Sequence, residues 1–124
     1  MISPQLLRQL RANDRIAVKP HAGPVFHAIQ YIFGNQSKEN LENFRALGGA
    51  QSYPSRTKDS DDVDFSTGSV GLGVGATLFG AMIRDYVKLH HQKQNKDTEG
   101  LIVALLGDAE LDEGNVFELS LIHI

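Results

Sequence analysis

Residues 101–115, LIVALLGDAELDEGN, place an unbroken apolar run, Leu101 to Leu106, directly before an acidic segment. A short apolar run of this kind is typical of a strand that is buried on both faces of a parallel sheet. Open α/β sheets bind their ligands beyond the carboxyl ends of the strands. The stretch therefore predicts an α/β fold with a site in the loop 107–115.

Asp108 is the first side chain after this strand, and a carboxylate on a rigid support is a good ligand for a hard divalent cation. We expect it to bind Mg²⁺. The alternative is a solvated turn residue or a helix N-cap. Asp108, Glu110 and Asp112 also alternate as in a calcium-binding EF-hand loop, but that loop requires glycine in place of Glu113 and glutamate in place of Leu119.

Composition narrows the classes of function. With 124 residues the chain forms at most one domain, and its net charge of −3 with scattered Lys and Arg excludes a nucleic-acid or anionic-membrane footprint. A small-molecule partner is expected. The absence of Cys fits a reducing cytoplasm. No apolar run approaches ~18 residues and no signal-peptide pattern is present, so a soluble protein without membrane contact is expected.

The strand-and-loop pattern also occurs near the amino terminus. A brief strand is predicted at 16–18, a loop at 19–23, and a helix at 24–34 that opens with proline. His21 lies on the loop and is a candidate functional residue. His27 lies inside the helix, where a structural role is expected.

Three further helices are predicted, one within 1–15 that ends near Asn13 and Asp14, and two over 37–48 and 70–91. Ser37 is a good N-cap for the second, whose apolar face is expected to include Leu47. The first half of the third is apolar nearly all round and is expected to be buried. Its apolar residues are Val74, Leu78, Phe79, Met82 and Ile83.

Two long loops separate these elements. Residues 50–64 include four Asp residues, and a loop of this length usually serves a site or is disordered. Residues 92–100 are charged and are expected at the surface.

The glycine-rich stretch FSTGSVGLGVG, residues 65–75, admits two interpretations. A dinucleotide-binding fingerprint requires an apolar strand immediately before it, and the acidic residues 61–64 do not form one. We favour a glycine-lined helix start that allows backbone to approach a ligand.

The segment 107–115 resembles the start of the thiamine diphosphate motif of transketolases and of the first, decarboxylating component of 2-oxo acid dehydrogenase complexes. The resemblance implies that Asp108 binds Mg²⁺ and that the backbone at Gly107, Ala109 and Glu110 holds the diphosphate. The family has glycine where this chain has Ala109, and the family's second metal ligand, an Asn, lies beyond the end of this chain.

The segment 14–34, DRIAVKPHAGPVFHAIQYIFG, resembles the family region whose loop histidine lies beside the diphosphate and the reacting carbon. His21 matches that histidine and is a candidate catalytic residue. Lys19, two residues earlier, is a candidate cofactor-binding residue.

Two other matches complete the resemblance. The segment 48–56 is similar to one in homodimeric pyruvate dehydrogenases, which implies that Tyr53 enters the active-site channel and favours 2-oxo acid chemistry. The segment 67–73 is similar to one that contacts the aminopyrimidine ring of the cofactor. The contact positions implied are Gly68, Ser69 and Val70.

The resemblance covers about residues 14–118 and implies a doubly wound parallel sheet with helices on both faces, truncated here to a partial thiamine diphosphate-binding domain over 1–118. The full-length parent would be a homodimer that uses thiamine diphosphate and Mg²⁺ to decarboxylate a 2-oxo acid. Ketol transfer from a ketose phosphate is the alternative within the family. A non-catalytic phosphate-binding module and an incomplete reading frame are alternatives outside it.

Residues 119–124, LSLIHI, are expected to be a non-native tail. Their apolar residues alternate like a strand where a helix is expected to continue. The six residues can be encoded by CTG TCT CTT ATA CAC ATC, which resembles a sequencing-library adapter. A domain truncated there would leave the helix at 70–91 only partly covered, so the isolated chain is expected to be unstable or to aggregate.

Overall fold

The computed structural model describes residues 4–66, 68–90 and 100–120, and in them helices surround a two-stranded parallel sheet. This arrangement confirms the predicted α/β class. Short 3₁₀ helices follow each strand, at Pro20–Ala22 and Asp108–Asp112. The regular elements in chain order are α1 (Pro4–Gln9), β1 (Arg15–Ala17), α2 (Gly23–Ile32), α3 (Lys38–Glu42), α4 (Leu72–His90), β2 (Ile102–Ala104) and α5 (Gly114–Ser120).

The two strands pair in parallel, with Arg15 opposite Ile102 and Ala17 opposite Ala104. Parallel strands end at the same edge of a sheet, so the loops that follow β1 and β2 lie side by side. Both strands are short, and each overlaps the run in which the apolar pattern predicts a strand. The residues of β2 are only half-buried, so the prediction that this strand is buried on both faces is wrong.

Asp14 fixes the start of this pairing. Its carboxylate accepts the backbone N–H of Leu101 at 2.7 Å and that of Arg11 at 2.8 Å. These two backbone hydrogen bonds, from Arg11 and then Leu101, lower the pKa of Asp14 to about 2 because they favour the ionised form. The carboxylate therefore stays ionised and joins the end of the α1 segment to the beginning of β2.

A small apolar core lies between the sheet and α2. Its buried members come from β1 and the residue after it, from α2, and from the loop before α4. Burial of these side chains on one face of α2 agrees with the helical period predicted for 24–34. The buried residues are Ile16, Val18, Phe26, Ile29 and Val63.

The second predicted helix is shorter than expected. Ser37 does act as N-cap, since its hydroxyl accepts the N–H of Asn40 at 3.1 Å, but α3 ends at Glu42. Arg45 then adopts a left-handed conformation with φ of 69°, which ends the helical path. Leu47 is consequently fully exposed, and its predicted place on an apolar helix face is wrong.

The prediction that the first half of the 70–91 helix is buried is also wrong for part of its surface. Gly75 and Thr77 are buried, but Phe79, Met82 and Ile83 are more than half exposed. Helix α4 contacts β1, β2 and α5 along one side. The sheet of the described residues has only two strands and does not extend over the other side of the helix.

We predict that Ile83→Lys lowers self-association of the chain without unfolding it. Ile83 is 64% exposed, so the substitution removes an apolar contact surface and changes stability by only about 0.5 kcal/mol. Sedimentation velocity over a range of concentrations, with chemical denaturation of both chains, measures the two effects. A large loss of stability in the variant would mean that Ile83 is packed in solution.

Carboxylates hold the loop 50–64 on the fold, so its predicted disorder alternative does not apply. Asp59 accepts the N–H of Gln51 at 2.8 Å and that of Ser55 at 2.7 Å. Asp64 accepts the N–H of Ile16 in β1 at 2.8 Å. Burial raises the pKa of Asp64 above its usual value, against the opposing effect of the Ile16 hydrogen bond.

His27 is the most completely buried large side chain of the described fold, as its structural role predicts. Its Nδ1 lies 2.5 Å from the carboxylate of Asp61, and its Nε2 lies 2.9 Å from the carbonyl oxygen of Gln51. Both partners only accept hydrogen bonds, so the doubly protonated ring satisfies both. Burial lowers the pKa of His27, but Asp61 outweighs burial and the net pKa is raised.

We predict that His27→Ala lowers the free energy of unfolding by about 3–5 kcal/mol, because it leaves the Asp61 carboxylate buried without its cation. A raised folded pKa means that the charge-dependent part of the stabilisation is present below the unfolded pKa of His and is lost as pH rises through the folded pKa. Denaturant titration across this range measures it. The exposed His90→Ala is the control, and an equal loss in both variants would contradict the proposed ion pair.

Some predictions fall wholly or partly outside the described residues. Of the loop predicted at 92–100, only Gly100 is described. Leu119 and Ser120 continue α5 as a helix, against the strand-like alternation predicted from 119 onward, and 121–124 lie outside. Among the described helices, none has the length and apolar character needed to cross a membrane.

Candidate functional site

An open cleft of about 530 Å³ lies beyond the carboxyl ends of β1 and β2. It brings together four of the predicted site residues from two distant parts of the sequence. The ligand position therefore follows the rule for parallel sheets. The lining residues are Lys19, His21, Ala22, Val25, Leu105, Leu106, Gly107 and Asp108.

Lys19 and His21 place nitrogen donors on one wall of the cleft. The side chain of Lys19 lies against Gly107, where a Cβ would stand 3.0 Å from Lys19 Cε and would overlap its amino group. His21 is exposed within the 3₁₀ helix that begins at the buried Pro20. Proline at this position presets the backbone turn that presents the imidazole.

Asp108 supplies a carboxylate to the same cleft. It is exposed as the first residue of its 3₁₀ helix, where Gly107 occupies the N-cap position, so the helix N-cap alternative does not apply. Its side chain has no hydrogen-bond partner among the described residues. In the same part of the chain, no three His, Cys, Asp or Glu residues cluster to hold a metal. Ala109, which follows, is exposed.

Glu110 lies behind the cleft and is only 5% exposed. One carboxylate oxygen accepts the N–H of Gly107 at 2.5 Å, and the other accepts the N–H of Gly71 at 3.4 Å. The side chain thus joins the loop after β2 to the glycine-rich segment before α4.

Tyr53 and the glycine-rich segment form a second group beside the cleft. A Cβ on Gly68 would lie 3.2 Å from the ring of Tyr53, so the two residues are in contact. Tyr53 is 44% exposed, Ser69 is exposed and Val70 is half-buried. Neither Tyr53 nor Gly68 lines the cleft itself.

The chain is similar to curated proteins over most of its length. It is 33% identical over 104 residues to the pyruvate dehydrogenase E1 component of Haemophilus influenzae, and 32% identical over 106 residues to that of Corynebacterium glutamicum; each match covers 82% of this chain. It is 32% identical over 108 residues to transketolase-like protein 2 of Bos taurus, covering 86% of this chain. The chain belongs to the transketolase-like family that includes these E1 components. No family model matches it.

This transketolase-like chain is short beside its relatives. It spans 12% of the Haemophilus protein, 11% of the Corynebacterium protein and 16% of the bovine protein.

The donor set of the cleft fits a diphosphate with a divalent cation. The ammonium of Lys19 and an imidazole N–H of His21 are donors to phosphate oxygens, and the exposed carboxylate of Asp108 is a ligand for a hard cation. Gly107 lies against the end of the Lys19 side chain, so a Cβ there would displace the Lys19 amino group from its present position in the cleft.

Two glycines of the transketolase-like chain have packing roles that the sequence patterns did not predict. Gly23, the first residue of α2, allows the loop that contains Tyr53 to pass close to the helix, because a Cβ there would lie 2.6 Å from the carbonyl oxygen of Ser52. Gly71 has φ of 79°, and a Cβ there would lie 3.1 Å from Val116. The available signal was a glycine at each helix start.

We predict that Gly71→Ala destabilises the chain by about 2 kcal/mol, because alanine is strained at positive φ and would press on Val116. Gly114→Ala is the matched control. It also lies at a helix start, but its Cβ would meet no atom within 4 Å. Thermal unfolding of both variants measures the difference, and equal midpoints would show that Gly71 has another conformation in solution.

Proposed function

We propose that this chain is the diphosphate-binding part of a thiamine diphosphate- and Mg²⁺-dependent enzyme that acts on 2-oxo acids. The observation that carries the proposal is the cleft in which Lys19 and His21 face the same space as Asp108. An ammonium and an imidazole beside a single carboxylate match a diphosphate that shares a metal with the protein.

Each wall of the cleft then has a role. Asp108 would bind Mg²⁺, while Lys19 and the backbone N–H of Ala109 would hold diphosphate oxygens. The N–H groups of Gly107 and Glu110, also expected to hold the diphosphate, are donated within the loop to the Glu110 carboxylate and to the Gly107 carbonyl oxygen. His21 would donate a hydrogen bond to a phosphate oxygen or to the oxygen on the reacting carbon of the substrate. When bound, thiamine diphosphate supplies the electron sink that allows a bond beside a carbonyl carbon to break.

The second group of residues would hold the other end of the cofactor. The Gly68 carbonyl and Ser69 would contact the aminopyrimidine ring, and Val70 would pack against the cofactor. Tyr53, in contact with Gly68, would lie in the substrate channel. A tyrosine at this place favours a 2-oxo acid over the ketose phosphate of a transketolase, which stays the second candidate because of the match to transketolase-like protein 2.

The proposal extends to the parent protein. There, β1 and β2 would be neighbours in a doubly wound parallel sheet with helices on both faces, within a cytoplasmic homodimer. The exposed side of α4 supports this, since such a helix face is ordinarily covered by further structure.

We predict that Asp108→Asn removes the Mg²⁺ dependence of pyrophosphate binding to the chain, because a neutral amide is a poorer ligand for a hard cation. Titration with inorganic pyrophosphate, followed by ³¹P NMR line broadening with and without Mg²⁺, measures it. Asp112→Asn, in the same 3₁₀ helix and also exposed, is the control. The same Mg²⁺ dependence in the Asp108 variant would remove this residue from the site.

We predict that His21→Ala in the full-length parent slows turnover on the order of 10²-fold while weakening cofactor binding much less, because a lost acid–base group acts mainly on the chemical step. Steady-state kinetics with a 2-oxo acid and calorimetric titration with thiamine diphosphate separate the two effects. His90→Ala, exposed in the last turn of α4, is the control. A wild-type rate in the His21 variant would leave this residue a structural role only.

A further inference from the structure

The buried carboxylate of Glu110 connects two segments that are far apart in the sequence. Its Oε2 accepts from Gly107 at 2.5 Å and its Oε1 accepts from Gly71 at 3.4 Å. Glu110 is 5% exposed, so water has little access to compete for either hydrogen bond. Among the described residues, neither backbone N–H has another acceptor.

Each end of this connection lies next to a part of the proposed cofactor site. Gly107 directly precedes Asp108 on the metal side of the cleft, and Gly71 directly follows Val70 on the aminopyrimidine side. We infer that Glu110 is a positioning residue that holds these two sides in a fixed relation and transmits a change at one side to the other. The inference rests on the function proposed above.

Gly71 packs closely against the segment that follows Glu110. It has φ of 79°, and a Cβ there would lie 3.1 Å from Val116 and 3.3 Å from Glu113. A shift of the 3₁₀ helix Asp108–Asp112 on metal binding would move the Glu110 carboxylate, and with it the hydrogen bond to Gly71.

The connection requires a side chain with two acceptor oxygens. A carboxylate has them, whereas the amide of glutamine has one acceptor and one donor, and a donor cannot pair with a second backbone N–H. Glu110→Gln thus keeps the length of the side chain and loses one of the two bonds. Glu110→Asp keeps the charge but is one methylene too short to reach both glycines.

The test follows backbone amides of the 124-residue chain by NMR, at concentrations where the chain is monomeric. Mg²⁺ with inorganic pyrophosphate is added to the wild type, to Glu110→Gln and to the control Asp112→Asn. We expect the Gly107 resonance to shift in all three chains, but the Gly71 resonance to shift only in the wild type and the control. Without ligand, exchange of the Gly71 amide with solvent should be about tenfold faster in Glu110→Gln, as for the loss of one buried hydrogen bond.

The outcomes separate this inference from the function proposed above. Equal shifts of Gly71 in the wild type and Glu110→Gln would overturn the role of Glu110 while leaving the pyrophosphate site intact. If pyrophosphate does not bind the wild type, the proposed function fails and the ligand-free exchange decides whether Glu110 ties the two segments: unchanged Gly71 exchange overturns the tie. If Glu110→Gln does not fold, as judged by circular dichroism, Glu110→Asp takes its place with the same expected results.

Discussion

The parallel pairing of β1 with β2 is the contact on which the rest of the structure depends. The strands come from opposite ends of the chain, and the Asp14 carboxylate fixes where β2 begins by receiving the Leu101 N–H. Since side chains alternate along a strand, a one-residue slip of the register would turn Ile16 and Val18 away from the core. The same register brings the loops that contain His21 and Asp108 to one edge of the sheet, so the pairing that forms the sheet also forms the cleft.

Carboxylates that accept hydrogen bonds hold loops and strands together around the small apolar core. The buried core is small, and Asp14, Asp59, Asp61 and Asp64 each receive backbone or side-chain donors that would otherwise be buried without partners. Such bonds are directional, so they set the path of the loop 50–64 and with it the place of Tyr53. The stability of the fold consequently depends on the ionisation of these few carboxylates.

What could be predicted from the sequence was local. The apolar run before Gly107 and the proline after His21 act over a few residues, and both strands and the first turn of α2 lie where these signals indicate. Burial depends on partners elsewhere in the chain. Periodicity alone could not show that Leu47 would follow a left-handed Arg45, or that Ile83 would face away from a two-stranded sheet.

The residues of the cleft could likewise be predicted one by one from local patterns, but their proximity could not. Strand-then-loop logic selected His21 and Asp108 separately, and parallel pairing alone makes them neighbours. Glu110 stands where a glutamate commonly reaches back to the first residue of a helix, which predicts its bond to Gly107. Its second bond, to Gly71, joins residues with no local relation in the sequence and required the tertiary structure.

The bond between Asp64 and Ile16 has a consequence for the solubility of the chain. Alternate residues of a strand direct their N–H groups to opposite edges, so the Ile16 N–H faces away from β2, and Asp64 occupies it. A strand from another molecule that approached this edge would have to displace a negatively charged side chain and replace its hydrogen bond. Asp64 thus protects this edge of β1 from pairing with a strand of another molecule. Acid would weaken the protection by neutralising the Asp64 carboxylate, whose pKa is raised above its usual value.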